Sequence, residues 1–212
     1  MGKLTDQIQE WSGDFGREYT DRNDLTAAQM DELYQRRFGL TRTALNLEFL
    51  GDLPRSLSIL EVGTNLGTQL VSLQQIGFTN LYGLELQAYA VDQAQKRTRH
   101  INIIQGSAFD IPFKDRFFDL VFTSGMLIHI NPHDLQTAMT EIRRCARSYI
   151  WGTEYFSDGL QEVKYHGKSN LMWKGNYAAL YLQRFGDLQL IREKKLVYRD
   201  SENVDSMFLL GC

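Results

Sequence analysis

Apolar residues along this chain keep two alternating rhythms, and the expected elements follow from them. Leu25, Met30, Leu33, Tyr34 and Phe38 recur at helical spacing over residues 25–38, and a second helix is predicted over 41–50, stopping near Gly51-Asp52-Leu53-Pro54. A short apolar run with β character, Ser58-Ile59-Leu60-Glu61-Val62, then breaks at Gly63 and passes into a helical segment at 68–73. Further strands are predicted at 81–86, 101–106, 117–124 and 148–154, with helices at 88–99 and 134–146. Strand and helix in alternation make a parallel sheet with helices on both faces. The rhythm changes near the end, where strands at 188–198 and 204–210 are joined only by residues 199–203. So short a join excludes a parallel crossover and predicts an antiparallel hairpin at the sheet edge. The expected fold is α/β: a Rossmann-like, doubly wound, mostly parallel seven-stranded sheet with an antiparallel edge hairpin.

A single domain over 1–212 accounts for this pattern, with the helices of 1–53 as an N-terminal cap and 54–212 as the core. No repeat, low-complexity tract or charged linker marks a second domain. Trp11-Ser12-Gly13-Asp14-Phe15-Gly16-Arg17-Glu18-Tyr19 mixes aromatics with glycine, which is not the texture of a solvated tail. These cap helices precede the first strand, so they are placed to close over a ligand as a lid. Trp11, Phe15 and Tyr19 equally suit anchoring the segment to the core, and the two roles are compatible.

Composition narrows the function classes. The formal net charge is -3, and the basic pairs Arg143-Arg144 and Lys194-Lys195 are short and isolated, which argues against a sequence-independent grip on nucleic acid. Cys145 and Cys212 stand far apart, without metal-ligand spacing, and no Asp/His cluster supplies one, so no metal is expected. Met1-Gly2-Lys3 leads into polar Thr5-Asp6-Gln7, and no apolar run approaches membrane-spanning length. The expectation is a cytoplasmic protein with a small-molecule partner and no membrane contact.

The chemistry concentrates where the first strand turns into a helix. Gly63 and Gly67 bracket Thr64, Asn65 and Leu66, so the middle glycine of the dinucleotide fingerprint is missing, and Asn65 crowds the place of a pyrophosphate. Glu61 beside the first glycine would repel phosphate but suits the ammonium of an amino-acid moiety. Glu85, closing the second strand, stands where a βαβ fold holds a ribose by its hydroxyls. S-adenosylmethionine carries an ammonium and a sulfonium and no phosphate, and fits both acids. Two alternatives stand beside it: an NAD(P)-dependent oxidoreductase on a Rossmann core, and a catalytically silent module that binds S-adenosylmethionine.

Glu61-Val62-Gly63 with Gly67, Glu85, Gly106-Ser107-Ala108-Phe109 and Phe118-Asp119-Leu120-Val121 resemble the successive motifs of class I S-adenosylmethionine-dependent methyltransferases, over nearly the whole chain. Trp11 to Gly16, Tyr19 with Arg22-Asn23, Leu127-Ile128-His129-Ile130-Asn131-Pro132 and Glu154-Tyr155 are similar to the methylases associated with pseudaminic acid biosynthesis. The chain departs from them after Phe156: no proline follows, and Tyr165-His166-Gly167 stands where Tyr-Arg-Gly is expected. The resemblance implies that Glu61, Gly63, Thr64, Asn65 and Gly67 line the methionine end of the cofactor. Glu85 with Leu86 would take the ribose, Ser107, Ala108 and Phe109 the adenine, and Ser124, Gly125 and Met126 the sulfonium. Tyr19 and Arg22 would close over it, Arg22 meeting its carboxylate. S-adenosyl-L-homocysteine would be the product.

Ligands bind beyond the C-terminal ends of the strands in open α/β folds. His129 follows the fourth strand and Glu154-Tyr155 closes the fifth, so all are expected to face the transferred methyl. His129 suits a general base, or a loop buttress through a backbone hydrogen bond. Residues 158–175 are long for a connection, and Lys164-Tyr165-His166-Gly167-Lys168 with Trp173-Lys174 give them aromatic and basic groups. Tyr165 and His166 are the expected acceptor contacts, while Trp173 can simply pin the loop to Tyr177 and Tyr181. The activity implied is methylation of oxygen or nitrogen on a small polar metabolite, such as a sialic-acid-like sugar or its nucleotide-linked form.

Overall fold

A computed structural model describes residues 5–165 and 167–212; residues 1–4 and His166 lie outside that description. Four helices come first: α1 (Asp6–Ser12), α2 (Asp14–Arg22), α3 (Ala27–Phe38) and α4 (Arg42–Leu50). The chain then alternates through β1 (Ser58–Val62), α5 (Thr68–Gln75), β2 (Asn80–Glu85), α6 (Ala88–Arg97), β3 (Ile101–Gln105) and β4 (Phe118–Ser124). A 3-10 turn (Leu127–His129), α7 (Pro132–Cys145) and β5 (Ala146–Tyr155) follow. A two-stranded ribbon, β6 (Gln161–Glu162) with β7 (Trp173–Lys174), leads to α8 (Tyr177–Arg184), β8 (Gln189–Val197) and β9 (Val204–Gly211).

The main sheet has the order β3-β2-β1-β4-β5-β9-β8. Its first five strands are parallel, and β9 runs antiparallel to both β5 and β8. The expected edge hairpin is therefore present, with its second strand inserted next to β5. Period-two alternation divides the core between two faces. Ile59, Leu120, Phe122, Trp151 and Leu209 pack with Leu45, Phe49, Leu70 and Leu73 of α4 and α5. Leu60, Val121, Ile150 and Phe208 pack on the other face with Met139, Ile142 and Tyr181 of α7 and α8. Burial on both faces explains why these strands read as near-continuous apolar runs.

Most boundaries shift by one or two residues from the sequence expectation, and two of the shifts have a visible cause. The helix after residue 25 begins at Ala27, because Thr26 and Gln29 form a capping box. The strand expected at 148 begins at Ala146, whose N–H still bonds Ile142 as the helix cap while its residue already pairs with Phe118.

Hydrogen bonds fix α1 and α2 over the ends of the strands. Gln87 Nε2, at the start of α6, donates to the carbonyls of Ser12 and Gly13 at 2.9 Å. Gln7 Nε2 donates to the carbonyls of His129 and Asn170 at 3.1 Å, and its Oε1 accepts the Asn131 N–H at 2.7 Å. Glu10 pairs with Lys168 of the long loop. Gly16 is demanded by close approach, since a Cβ there would sit 1.8 Å from the Trp11 carbonyl oxygen.

Candidate active site

At the end of β1 the backbone turns through left-handed Gly63 (φ 77°), Asn65 (φ 46°) and Gly67 (φ 75°). A Cβ on Gly63 would lie 2.3 Å from Met126 Cγ, so the Met126 side chain packs directly on the bare backbone of the turn. Four amides of the turn are already committed. Gly63 and Thr64 donate to the Leu84 carbonyl at 2.8 and 3.1 Å, Asn65 to Glu85 Oε2 at 2.8 Å and Gly67 to the Thr64 carbonyl at 2.9 Å. A pyrophosphate needs a cradle of unengaged N–H groups. This turn presents two carboxylates instead, and the dinucleotide alternative is not favoured.

One cavity opens here between the cap helices and the strand ends. Of the sequence-predicted residues it is lined by Tyr19, Glu61, Gly63, Thr64, Asn65, Glu85, Leu86, Ser107, Ala108, Phe109, Ser124, Gly125, Met126 and His129. The others lie elsewhere. Gly67 shapes the turn without lining the cavity, and Arg22 sits outside with its Nη1 3.4 Å from Glu18. Tyr155 is turned from the cavity and stacks on Tyr198 at 5.8 Å, with Lys174 Nζ 5.3 Å from its ring. Tyr165 does not line the cavity and meets the His129 ring at 5.3 Å. His166 is outside the described residues. Glu154 does not face the cavity either. It is buried beneath the 3-10 turn, where its carboxylate accepts the N–H groups of Met126, Leu127 and Ile128, each at 3.3 Å.

Sequence reasoning missed Gln7, Met30, Gln69 and Gln87 as lining residues, and left Trp11 with the paired roles of lid and anchor. The Trp11 ring covers His129 at 4.5 Å, with Tyr19 at 5.9 Å on the same imidazole.

Burial sets the electrostatics. The Glu61 carboxyl is pushed up to about 8 by burial, against the Thr64 hydroxyl that donates to it at 2.7 Å and the attraction of Arg42. Burial also raises Glu85, opposed by backbone N–H bonds from Gln87 and Asn65. His129 is pushed down to about 4 by burial, against its bond to the Leu171 carbonyl. That bond joins Nδ1 to the carbonyl oxygen at 2.8 Å. A carbonyl only accepts, so Nδ1 carries the proton and Nε2 keeps its lone pair. The buttress expected for His129 is thus present, and it sets the tautomer a base requires.

Residues 60–149 match the model of a family described as a methyltransferase domain. That stretch takes in the glycine turn, both Glu61 and Glu85, and β4. Residues 60–149 thus resemble a methyltransferase domain, and the sheet around them has the class I methyltransferase fold. Among curated proteins, the O-methyltransferase rstn1 of Aspergillus nomiae is 27% identical over 99 residues, a match spanning 44% of this chain and 43% of that protein. The 1,6-didemethyltoxoflavin-N1-methyltransferase of Burkholderia thailandensis, solved with 1,6-didemethyltoxoflavin and S-adenosylhomocysteine, superposes on the whole chain and 92% of its own, with a TM-score of 0.72 at 15% identity. The PH0226 protein of Pyrococcus horikoshii OT3 covers 99% of each chain with a TM-score of 0.62 at 14% identity. At such identities the two structures share the fold with this domain.

The cofactor of the methyltransferase domain is S-adenosylmethionine, and the cavity fits it on its own terms. Each Glu85 oxygen accepts one backbone N–H and keeps a lone pair for a ribose hydroxyl. Among the described residues no lysine or arginine lines the cavity, so no basic side chain there competes with a ligand cation for Glu61. Among those residues no group of three His, Cys, Asp or Glu could hold a metal, and no helix is long and apolar enough to cross a membrane.

Proposed function

We propose that this chain transfers a methyl group from S-adenosylmethionine to the oxygen or nitrogen of a small acceptor seated beneath the cap helices. The observation that carries the reading is one cavity holding Glu61, Glu85 and a neutral, oriented His129. When bound, the cofactor supplies a methyl on a sulfonium and leaves as S-adenosylhomocysteine. Glu85 holds the ribose hydroxyls, Glu61 the ammonium, and Ser107 with Ala108 flanks the adenine. Nε2 of His129 takes the acceptor proton, a contribution of about 10²–10⁴-fold. Trp11, Tyr19 and the cap latched by Gln7 exclude water and hold the acceptor in line. Positioning of this kind accounts for up to roughly 7–11 kcal/mol in well-oriented reactions.

The acceptor that suits the site is uncharged. A sialic-acid-like sugar or its nucleotide-linked form, which the resemblance implies, needs a cation for its carboxylate or phosphate. Of the basic groups near the opening, Lys168 is paired with Glu10 and Arg22 lies beside Glu18.

Calorimetric titration with S-adenosylhomocysteine, followed by mass spectrometry of neutral and anionic acceptor panels with S-adenosylmethionine, tests the reading. Saturable binding and a product heavier by one methylene are expected. Absence of binding by either ligand sinks it, and binding without product from any acceptor favours the silent module.

A further inference from the structure

Arg42 is the first residue of α4 and is fully buried. Its Nε donates to Asn46 Oδ1 at 3.0 Å and its Nη1 to the Tyr34 hydroxyl at 2.7 Å and Ser124 Oγ at 3.4 Å, while Nη2 has no partner. The guanidinium carbon lies 5.3 Å from the ring centroids of both Tyr34 and Trp151. Among the described residues no carboxylate is in ion-pair contact with it. A buried charge without a contact partner is strongly unfavourable. Its place at the start of a helix, at the positive end of the dipole, adds to that. Compensation has to come from charges at longer range.

Two carboxylates feel its attraction, Glu61 on β1 and Asp205 on β9. Asp205 is turned from the cavity and accepts from the Tyr198 hydroxyl at 3.2 Å. Glu61 lines the cavity. It pairs with Phe122 across β1 and β4, which puts Ser124, the residue Arg42 touches, two positions further along the same face. Arg42 therefore stands directly behind the acid end of the donor site.

We propose that Arg42 is a positioning residue for donor binding: from behind the ends of β1 and β4, its buried charge eases the ionisation of Glu61 to the carboxylate that meets the donor's ammonium. The inference rests on the donor reading given above. The groups facing Glu61 are Thr64 from the glycine turn, Glu85 from β2 and Arg42 from α4; Thr64 and Arg42 favour its charge and Glu85 opposes it. Those facing Arg42 are Tyr34 from α3, Asn46 from α4, Ser124 from β4 and Trp151 from β5, with Asp205 of β9 beyond them. Removing the guanidinium moves the ionisation of Glu61 to higher pH. Donor affinity then falls where Glu61 must be ionised by the ligand and recovers where it is ionised already.

The test is calorimetric titration of S-adenosylhomocysteine into wild type, Arg42→Met, Arg42→Lys and Glu61→Gln proteins from about pH 6.5 to about pH 9. Arg42→Met is expected to bind about tenfold more weakly at the low end, where the ligand must displace a proton that Glu61 now holds about tenfold more tightly, and to converge on wild type at the high end. Arg42→Lys should keep the wild-type profile, and Glu61→Gln combined with Arg42→Met should lose the pH-dependent part. Should Arg42→Met not fold, Arg42→Gln removes the charge while keeping an amide for Tyr34 and Asn46. An equal loss at every pH assigns Arg42 a packing role and overturns the proposal, as does no loss at all. Failure of wild type to bind overturns the donor reading itself.

Discussion

Replacing Glu85 by glutamine changes one oxygen to an amide and leaves the shape of the site intact. In the folded chain that carboxylate accepts two backbone bonds, from Asn65 at 2.8 Å and Gln87 at 2.9 Å. Glutamine keeps one acceptor and turns its NH₂ towards a backbone donor, so one charged hydrogen bond is lost. Such bonds contribute about 1.5–3 kcal/mol each, and Tm is expected to fall by roughly 3–12 °C at 2–4 °C per kcal/mol. Donor binding loses more, because two ribose hydroxyls would share that carboxylate. Losing the charge from both bonds weakens binding by about 2–4 kcal/mol, or roughly 30- to 1,000-fold in Kd. The assay pairs thermal melting of the ligand-free protein with calorimetric titration of S-adenosylhomocysteine, both at temperatures where the variant is folded. Affinity reduced less than about tenfold, with Tm lowered, would show that Glu85 only caps the turn.

Three further outcomes are expected. His129→Asn should lower kcat by about 10²–10⁴-fold while leaving S-adenosylhomocysteine affinity near wild type, since its amide can still donate to Leu171 but offers no Nε2 lone pair; an unchanged kcat makes His129 a buttress only. Gly16→Ala, whose methyl would meet the Trp11 carbonyl at 1.8 Å, should unseat α1 from α2 and expose the cap to limited proteolysis, and a cap as resistant as wild type refutes its packing. The third concerns pH. Glu61 rises from 4.5 to about 8 on folding, so the folded chain holds its proton where the unfolded chain has released it. Its contribution is full below 4.5 and is lost as pH rises towards 8. Glu154 and Asp205, each pushed up to about 7, act in the same direction. His129, pushed down to about 4, acts oppositely, and only below the ordinary imidazole range. Ligand-free protein should therefore lose stability in denaturant titrations as pH rises from about 4.5 to 8, with Glu61 carrying the part above about 7, and Glu61→Gln should flatten that last part.

Much of this was legible in the sequence because it is local. Burial on both faces writes strands β1, β4 and β5 as apolar runs, and a five-residue join forces the hairpin. The glycine turn with acids at 61 and 85 is a motif of short range, and the structure brings both acids to one cavity. What escaped is long-range or hidden by parity. Gln7 looks like one more polar residue near the start of the chain, yet its partners are backbone groups of His129, Asn131 and Asn170. Adjacent residues on a strand face opposite ways. Glu154 and Tyr155 could not both have faced the methyl, and in fact neither lines the cavity: one binds the amides beneath the 3-10 turn and the other stacks on Tyr198. Arg22 carries the charge its motif position suggested, but the last turn of α2 directs it to Glu18. The junction at Ala146 has no glycine or proline to mark it, which is why the helix was expected to end one residue later.

A crystal structure with S-adenosylhomocysteine tests the central claim most directly. The ribose hydroxyls should lie on Glu85, the amino group against Glu61, and the sulfur beside Met126 facing His129. A ligand bound with neither carboxylate in contact would contradict the assignment of donor, base and acceptor position together.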